Sequence, residues 1–504
     1  MMLDVASVDR DVSLTADVCV VGSGAGGSIV AREIAQAGRS VVVVEEGPYV
    51  PSRDFTQREE QMLPRLFADH SLRTAADATV LVLQGNVVGG STVPGFCVCV
   101  RTPSQILAHW GQRFGLSGIG FEAMLPYLER VEAASHVRPL APDDLNANND
   151  RLRTGAQRLG FHHYLPAHNR VDCVGCGFCA LGCAYDRKGD ALTLHLPAAS
   201  GHGAVIVPSC RVERVEQTAG RVQGVSGRFM RTRAQFALRV RAPVVVLAAG
   251  AIGSPALWLR SQLPDRHKQV GHNLHLHPEV VLAARYPEPI AMWQGIPQAL
   301  IVDEFLDLDR SVLGGFLIMP RAAHPVAMAA LLPGMGSEVR QVLGDYARLG
   351  LAAVMLHDRT TGHLDVDGEG RASIVYHLGE DDRADLLDGM RRLADVYFAA
   401  GAQEVILPYN EYATLSRRGD YRAIDERQLR DNDPQLLSYH PQGTLRMGPS
   451  RKRSVVNGWG AAHDVEGLYV ADASIFPTST AVPPLVSVMA FAARTAQHII
   501  EQLR

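Results

Sequence analysis

No run of 18 or more apolar residues occurs in these 504 residues, so no segment is long enough to cross a bilayer as a helix. The opening stretch, MMLDVASVDRDVSLTADV, carries acids from the start and does not read as a secretory signal. Net charge is only −4, with both signs interspersed, which tells against a dedicated nucleic-acid or polyanion binder. Cysteine is scarce, eight in all. A disulfide framework is therefore not expected, and the thiols read as reduced side chains or ligands in a cytoplasmic protein. Internal repeats and low-complexity linkers are lacking too. What is plentiful is apolar residue, 47% of the chain, enough for a large core.

That apolar content is patterned. Val18 to Val21 form a short apolar run that meets a glycine turn, then a helical stretch carries Ile29, Val30 and Ile34, and Val41 to Val44 form a second run. This is the pattern of a βαβ unit. Gly22, Gly24 and Gly27 stand as G-x-G-x-x-G on the strand-to-helix turn, and Glu45 closes the second strand. The first glycine allows the tight turn, the second lets backbone approach a pyrophosphate, and the third permits close helix–strand packing. A carboxylate at Glu45 would accept hydrogen bonds from an adenosine ribose, which suits FAD and NAD equally. Further strand-and-glycine segments at 243–255 and 467–479 point to one nucleotide-binding domain assembled from distant pieces.

Residues 286–430 have another texture, short strands alternating with helical stretches, and read as an α+β substrate domain inserted into the first. The stretch 380–402 is an amphipathic helix with acids in its first turn, 365–372 (DVDGEGRA) a hairpin turn, and Pro325 to Leu356 an apolar, helix-rich insert. The division is then 1–285 for the N-terminal part of the nucleotide domain, 286–430 for the substrate domain, and 431–504 for the C-terminal part.

Three blocks, HPQGTLRMG (440–448), SVVNGWGAAHDVEGLYVADASIFPTS (454–479) and GNVVGGST (85–92), together resemble the glucose–methanol–choline (GMC) family of FAD oxidoreductases, as do AAGAIGSP (248–255) and VGHNLHLHP (270–278). The likeness is greatest to the bacterial branch related to long-chain alcohol oxidases and dehydrogenases. It implies a doubly wound, Rossmann-like FAD domain interleaved with a substrate domain built on an antiparallel sheet. It also implies that Gly22, Gly24, Gly27 and Glu45 hold the ADP half of FAD, that Gly89, Gly90 and Ser91 line the pyrophosphate, that the Val212 backbone meets the adenine, and that Asp472 and Ala473 close over the cofactor. His440 matches the active-site histidine, whose imidazole takes the hydroxyl proton of an alcohol as hydride leaves for flavin N5. The implied reaction is oxidation at CH–OH of a lipophilic or polycyclic alcohol, with O2 or a redox partner as electron acceptor.

The sequence also departs from the family. A histidine or asparagine that hydrogen-bonds the substrate oxygen is replaced by Pro483 in PTSTAVPPLVS. Losing one such partner costs about 10²–10³ in rate. His275, His277, Tyr439 and Ser479 are candidate substitutes, and Tyr439 and Pro483 are expected at the substrate pocket. Alternatively the reaction needs no such partner, as in dehydrogenation of a C–C bond, or is a non-redox flavin lyase reaction. Pro94 and Gly95 offer no nucleophile, so FAD is expected to be non-covalent. Cys97 and Cys99 in FCVCV read as two small core residues on one strand face.

Cys173, Cys176, Cys179 and Cys183 follow the C-x2-C-x2-C-x3-C spacing of bacterial ferredoxins. Three readings are open for them. A [4Fe–4S] or [3Fe–4S] cluster would pass electrons from FAD to an external acceptor, four thiolates could clamp zinc, and a thiol or disulfide segment would stiffen a cap over the flavin. Ala184 stands where the ferredoxin pattern has proline, which favours the last. Lys188 reads as a solvated charge or as a cap residue facing the active site.

Overall fold

The computed structural model describes residues 1–3, 5–230, 236–308, 313–430 and 432–504. Short valine-rich runs make the first sheet. Val18–Val21, Val41–Val44 and Val244–Leu247 are buried along their whole length, as strands covered on both faces must be. The sheet is parallel throughout, in the order Leu468–Val470, Val244–Leu247, Val18–Val21, Val41–Val44, Val205–Val207. Chain order reverses beside Val18–Val21, which is where open α/β sheets receive ligands beyond their strand ends. The helix Ala25–Gln36 follows that strand and packs on the C-terminal helix Leu485–Gln502. A doubly wound sheet assembled from distant segments is thus formed. A smaller sheet beside it includes the strand Cys210–Thr218, which carries Val212.

The second large sheet has ten strands and is mainly antiparallel. Its middle strands, Glu279–Arg285, Leu349–Leu356 and Gly314–Arg321, are almost wholly buried. The helix Glu380–Ala399 covers one face. Side chains alternate across a strand, so Ile318 and Val354 face that helix cluster while Leu317, Met319 and Met355 face the other way, packed with Val98 and Val482. Register keeps Glu279 on the Met355 side, because the two are paired.

Two features differ from the reading of the sequence. Residues 286–430 supply only part of this sheet; Val80–Val82, His163–Tyr164, Glu279–Arg285 and Leu436–Ser438 complete it. The inserted block marks a change of texture along the chain, not the edge of a sheet. The stretch Pro325 to Leu356 holds the short helices Pro325–Leu331 and Ser337–Gly344, but ends in the central strand Leu349–Leu356. An unbroken apolar run has no period with which to tell a buried strand from a buried helix. The hairpin is where it was expected: Gly362–Val366 pairs with Ala372–Val375, and the Asp367 carboxylate accepts the Glu369 and Arg371 N–H groups across the turn.

Candidate functional site

A cavity of about 920 Å³ is lined by residues from both sheets. One wall is built from backbone. Gly22 has φ +99°, and a Cβ there would run into the Ala248 carbonyl oxygen, so the turn after Val21 admits no side chain. A Cβ on Gly90 would lie 2.8 Å from the Gly24 Cα, which shows how closely the two glycine turns approach. Ser23 Oγ ties them together by donating to Glu45 Oε2 (2.7 Å) and accepting from Gly89 N (2.9 Å). Glu45 also accepts from Ser23 N at 2.9 Å and Gly47 N at 2.8 Å. Burial pushes its carboxyl above the usual range, and these hydrogen bonds oppose the shift. Asp472 accepts from Gly250 N (2.9 Å) and Ser474 N (2.9 Å), which fixes the start of the helix Gly250–Arg260 against the cavity.

Gly22, Gly24, Glu45, Gly90, Ser91, Val212, Asp472 and Ala473 all line this cavity. Gly27 and Gly89 shape it from behind: a Cβ on Gly27 would meet the Gly22 carbonyl, and Gly89 turns the chain at φ +98°. The cradle therefore fits a dinucleotide. It excludes side chains where a pyrophosphate needs backbone contact, and it carries an acid at the ribose position.

The other wall is built from side chains. Tyr439, His440, Pro483, Met319 and Arg321 line it, with Val98 and Gln298. Tyr439 and His440 follow the strand Leu436–Ser438, whose pairing with Glu279 brings them to the sheet face that holds Arg321. Both are only half-buried because they face the cavity. Burial, with Arg321 as a second cause, holds the His440 imidazole down at about 3, so it is neutral at ordinary pH. His277 Nδ1 lies 3.4 Å from His440 Nδ1, longer than an ordinary hydrogen bond, with the rings edge to face. Among the described residues no hydrogen bond engages His440 Nε2.

The candidate substitutes separate. Tyr439 faces the cavity, but His275, His277 and Ser479 do not line it. His275 Nδ1 contacts the Asp358 carbonyl at 3.1 Å, and burial lowers the pKa of both His275 and His277. The sequence reading missed Arg321 and Glu279. Both are buried, and Arg321 donates through Nε (3.1 Å) and its second terminal nitrogen to the two Glu279 oxygens. The only signal was a charge within otherwise apolar strands, FLIMPR and HPEVV.

The four cysteines are neighbours, Cys179, Cys183 and Cys173 adding to the burial that raises the Cys176 thiol, but they are not arranged as a metal-ligand set. Among the described residues no group of three or more His, Cys, Asp or Glu side chains could hold a metal ion, and all eight cysteines are free thiols. Neither an iron–sulfur cluster nor a zinc ion finds its ligand set in Cys173, Cys176, Cys179 and Cys183. The chain between them turns at Gly175, Gly177 and Gly182, each with positive φ, and Gly177 and Gly182 are pressed on the Trp293 carbonyl and the Phe55 ring. Instead of a metal, Arg170 lies among them, its terminal nitrogen 3.7 Å from Cys173 Sγ and 3.9 Å from Cys179 Sγ.

Lys188 is not a solvated charge. It is buried, and its Nζ donates to the carbonyls of Val93 (2.5 Å), Gly95 (2.7 Å) and Cys179 (2.6 Å). It latches the cysteine loop to the cavity-lining loop that follows Gly90. Cys97 departs from the core pairing expected with Cys99: it lies at φ +70° ahead of the strand Val98–Cys99 and lines the cavity, its thiol pushed up to about 11 by burial. Among the described residues no helix is long and apolar enough to cross a membrane.

Residues 20–279 and 359–492 match the sequence models of GMC oxidoreductases. The chain belongs to the GMC oxidoreductase family and is an FAD-dependent oxidoreductase. It is 32% identical over 511 residues to a GMC-type oxidoreductase of Mycobacterium tuberculosis, across 99% of this chain and 78% of that protein. A long-chain-alcohol oxidase of Arabidopsis thaliana is 27% identical, across 98% of this chain and 70% of that protein. Pyridoxine 4-oxidase from Mesorbium loti shares the fold with a TM-score of 0.74 at 18% identity, over 96% of this chain and 98% of that one. A variant formate oxidase of Aspergillus oryzae does so with a TM-score of 0.74 at 16% identity, over 97% and 98%.

Proposed function

We propose that this protein oxidises the CH–OH group of a lipophilic alcohol, with His440 as the base. The observation that carries the reading is that His440 lines the same cavity as the Gly22–Gly26 turn, on a wall that also offers Val98, Met319 and Pro483. Bound FAD supplies the hydride acceptor and a store for two electrons. Gly22, Gly24, Gly90 and Ser91 would hold its phosphates through backbone and hydroxyl groups, and Glu45 and Val212 its adenosine. His440 is neutral and its Nε2 is unengaged, so it can accept the hydroxyl proton there. The apolar side chains on that wall, Val98, Met319 and Pro483, suit an alkyl or ring substituent.

Pro483 supports a second reading, dehydrogenation of a C–C bond, because such a substrate presents no oxygen for a partner at that position. Mixing the oxygen-free holoprotein with alcohols of graded chain length separates the readings. Bleaching of the flavin by an alcohol supports CH–OH oxidation. A flavin that stays oxidised while substrate is cleaved indicates a lyase. His440→Ala is expected to retain FAD and to slow bleaching by about 10²–10⁴; undiminished bleaching would remove His440 from the role of base.

A further inference from the structure

We propose that Arg321 is a catalytic residue whose guanidinium faces the substrate oxygen and supplies the positive charge and N–H donors that Pro483 cannot. The proposal rests on the CH–OH reading above. Its starting point is a vacancy of chemistry at one position and a surplus at another. Pro483 is buried on the cavity wall and has neither a polar side chain nor a backbone N–H. Arg321 lines the same cavity, with Tyr439 and His440, and its guanidinium stands 5.9 Å from the Tyr439 ring centroid.

Three of its five N–H groups have protein acceptors: two go to Glu279, and the remaining terminal nitrogen donates to the Pro320 carbonyl at 3.1 Å. Two N–H groups are left without a partner among the described residues, one on each terminal nitrogen. A buried ion pair placed only for stability is a poor device, since apolar residues of like volume serve as well or better. Here the pair sits on the one face of the sheet that opens to the cavity, and that placement calls for a use.

The electrostatics agree in sign. Groups near the His440 imidazole are Tyr439 beside it, His277 from the loop before the strand Glu279–Arg285 with His275 and His357 behind, and the Arg321–Glu279 pair. After burial, Arg321 is the charge that disfavours a cation at His440, and on Tyr439 Glu279 and Arg321 act in opposite directions. The Arg321 charge makes the His440 imidazole a weaker proton acceptor and at the same time stabilises an anion in the same space. The anion in question is the substrate oxygen as its proton moves to His440 Nε2. The O–H bond breaks and the N–H bond forms, while the C–H electron pair leaves for the cofactor and the C=O bond closes. Glu279 holds the guanidinium in place and keeps the empty pocket close to neutral.

The test uses holoprotein with ¹³C,¹⁵N-labelled histidine and two variants. Arg321→Lys keeps a charge, and the double variant Arg321→Met with Glu279→Gln removes both charges without stranding a buried carboxylate. The double variant is expected to retain FAD, to slow flavin reduction by a good alcohol about 10²–10³-fold at saturation, and to raise the pH at which His440 titrates. Arg321→Lys should recover much of the rate. Wild-type reduction in the double variant, or an unmoved His440 titration, overturns the proposal. If no alcohol bleaches even the wild-type flavin, the CH–OH reading fails, and the His440 titration still decides for or against the reach of Arg321.

Discussion

The two walls of the cavity recognise by different means. The glycine wall works through backbone: turns at Gly22 and Gly89, a close approach of Gly24 to Gly90, and one acid, Glu45, locked by Ser23 and Gly47. The histidine wall works through side chains that come from three separate parts of the chain, Arg321, Tyr439–His440 and Pro483. At Gly22 and Gly27 the constraint is steric, since a Cβ at either would overlap backbone. Side-chain recognition tolerates the loss of one group if another can reach the same point, which is the role proposed for Arg321 opposite Pro483.

Breaking the glycine wall should have the largest effect. Gly22→Val would force a β-branched residue to φ +99° and into the Ala248 carbonyl. We expect loss of nearly all bound flavin and a fall in thermal stability, read from the flavin-to-protein absorbance ratio and a melting curve. Full flavin occupancy in that variant would show that the turn is not the cradle.

Lys188→Met tests the latch between the cavity loop and the cysteine loop. It leaves the Val93, Gly95 and Cys179 carbonyls without their donor. Each buried orphan costs about 1–3 kcal/mol, so a loss of several kcal/mol is expected in denaturant unfolding. A change below about 1 kcal/mol would mean that water replaces the ammonium.

Acid separates the walls without mutation. His440, His357 and His195 are each held down to about 3, chiefly by burial. In the unfolded chain they titrate near 6.5, so below that pH the unfolded state takes up protons that the folded state refuses. Stability should therefore be highest above about pH 6.5 and decline as pH falls toward 3. The upper limit is about 2 kcal/mol per histidine at pH 5. A melting temperature that is flat between pH 7.5 and 5 would mean that these imidazoles are not buried neutral.

The smallest effect is expected from restoring the family's side chain. Pro483→Asn adds a donor beside His440 and should raise flavin reduction by simple alcohols a few-fold. An unchanged or lower rate would fit a site in which Arg321 already occupies that role.

Legibility in the sequence follows the same division. The glycine turn, the first βαβ unit and the distant strands of the parallel sheet could be read because each depends on neighbours within a few residues. The cysteine spacing could not choose among its readings for the same reason. Spacing is a local property, but convergence of four thiols depends on where Gly175, Gly177 and Gly182 turn the chain and what they press against. The strand Leu349–Leu356 was hidden because burial on both faces erases the alternation that marks a strand.

By itself, then, the sequence determined the family and the glycine turn of the parallel sheet, and it marked His440 as the candidate base, since local steric and hydrogen-bonding demands write themselves into contiguous motifs. Only the tertiary structure decided that Arg321 and Glu279 meet on one sheet face, that Lys188 is a buried latch, and that Arg170 lies among the cysteines. Those relations depend on sheet register and on packing between distant segments, and no short stretch of sequence encodes them.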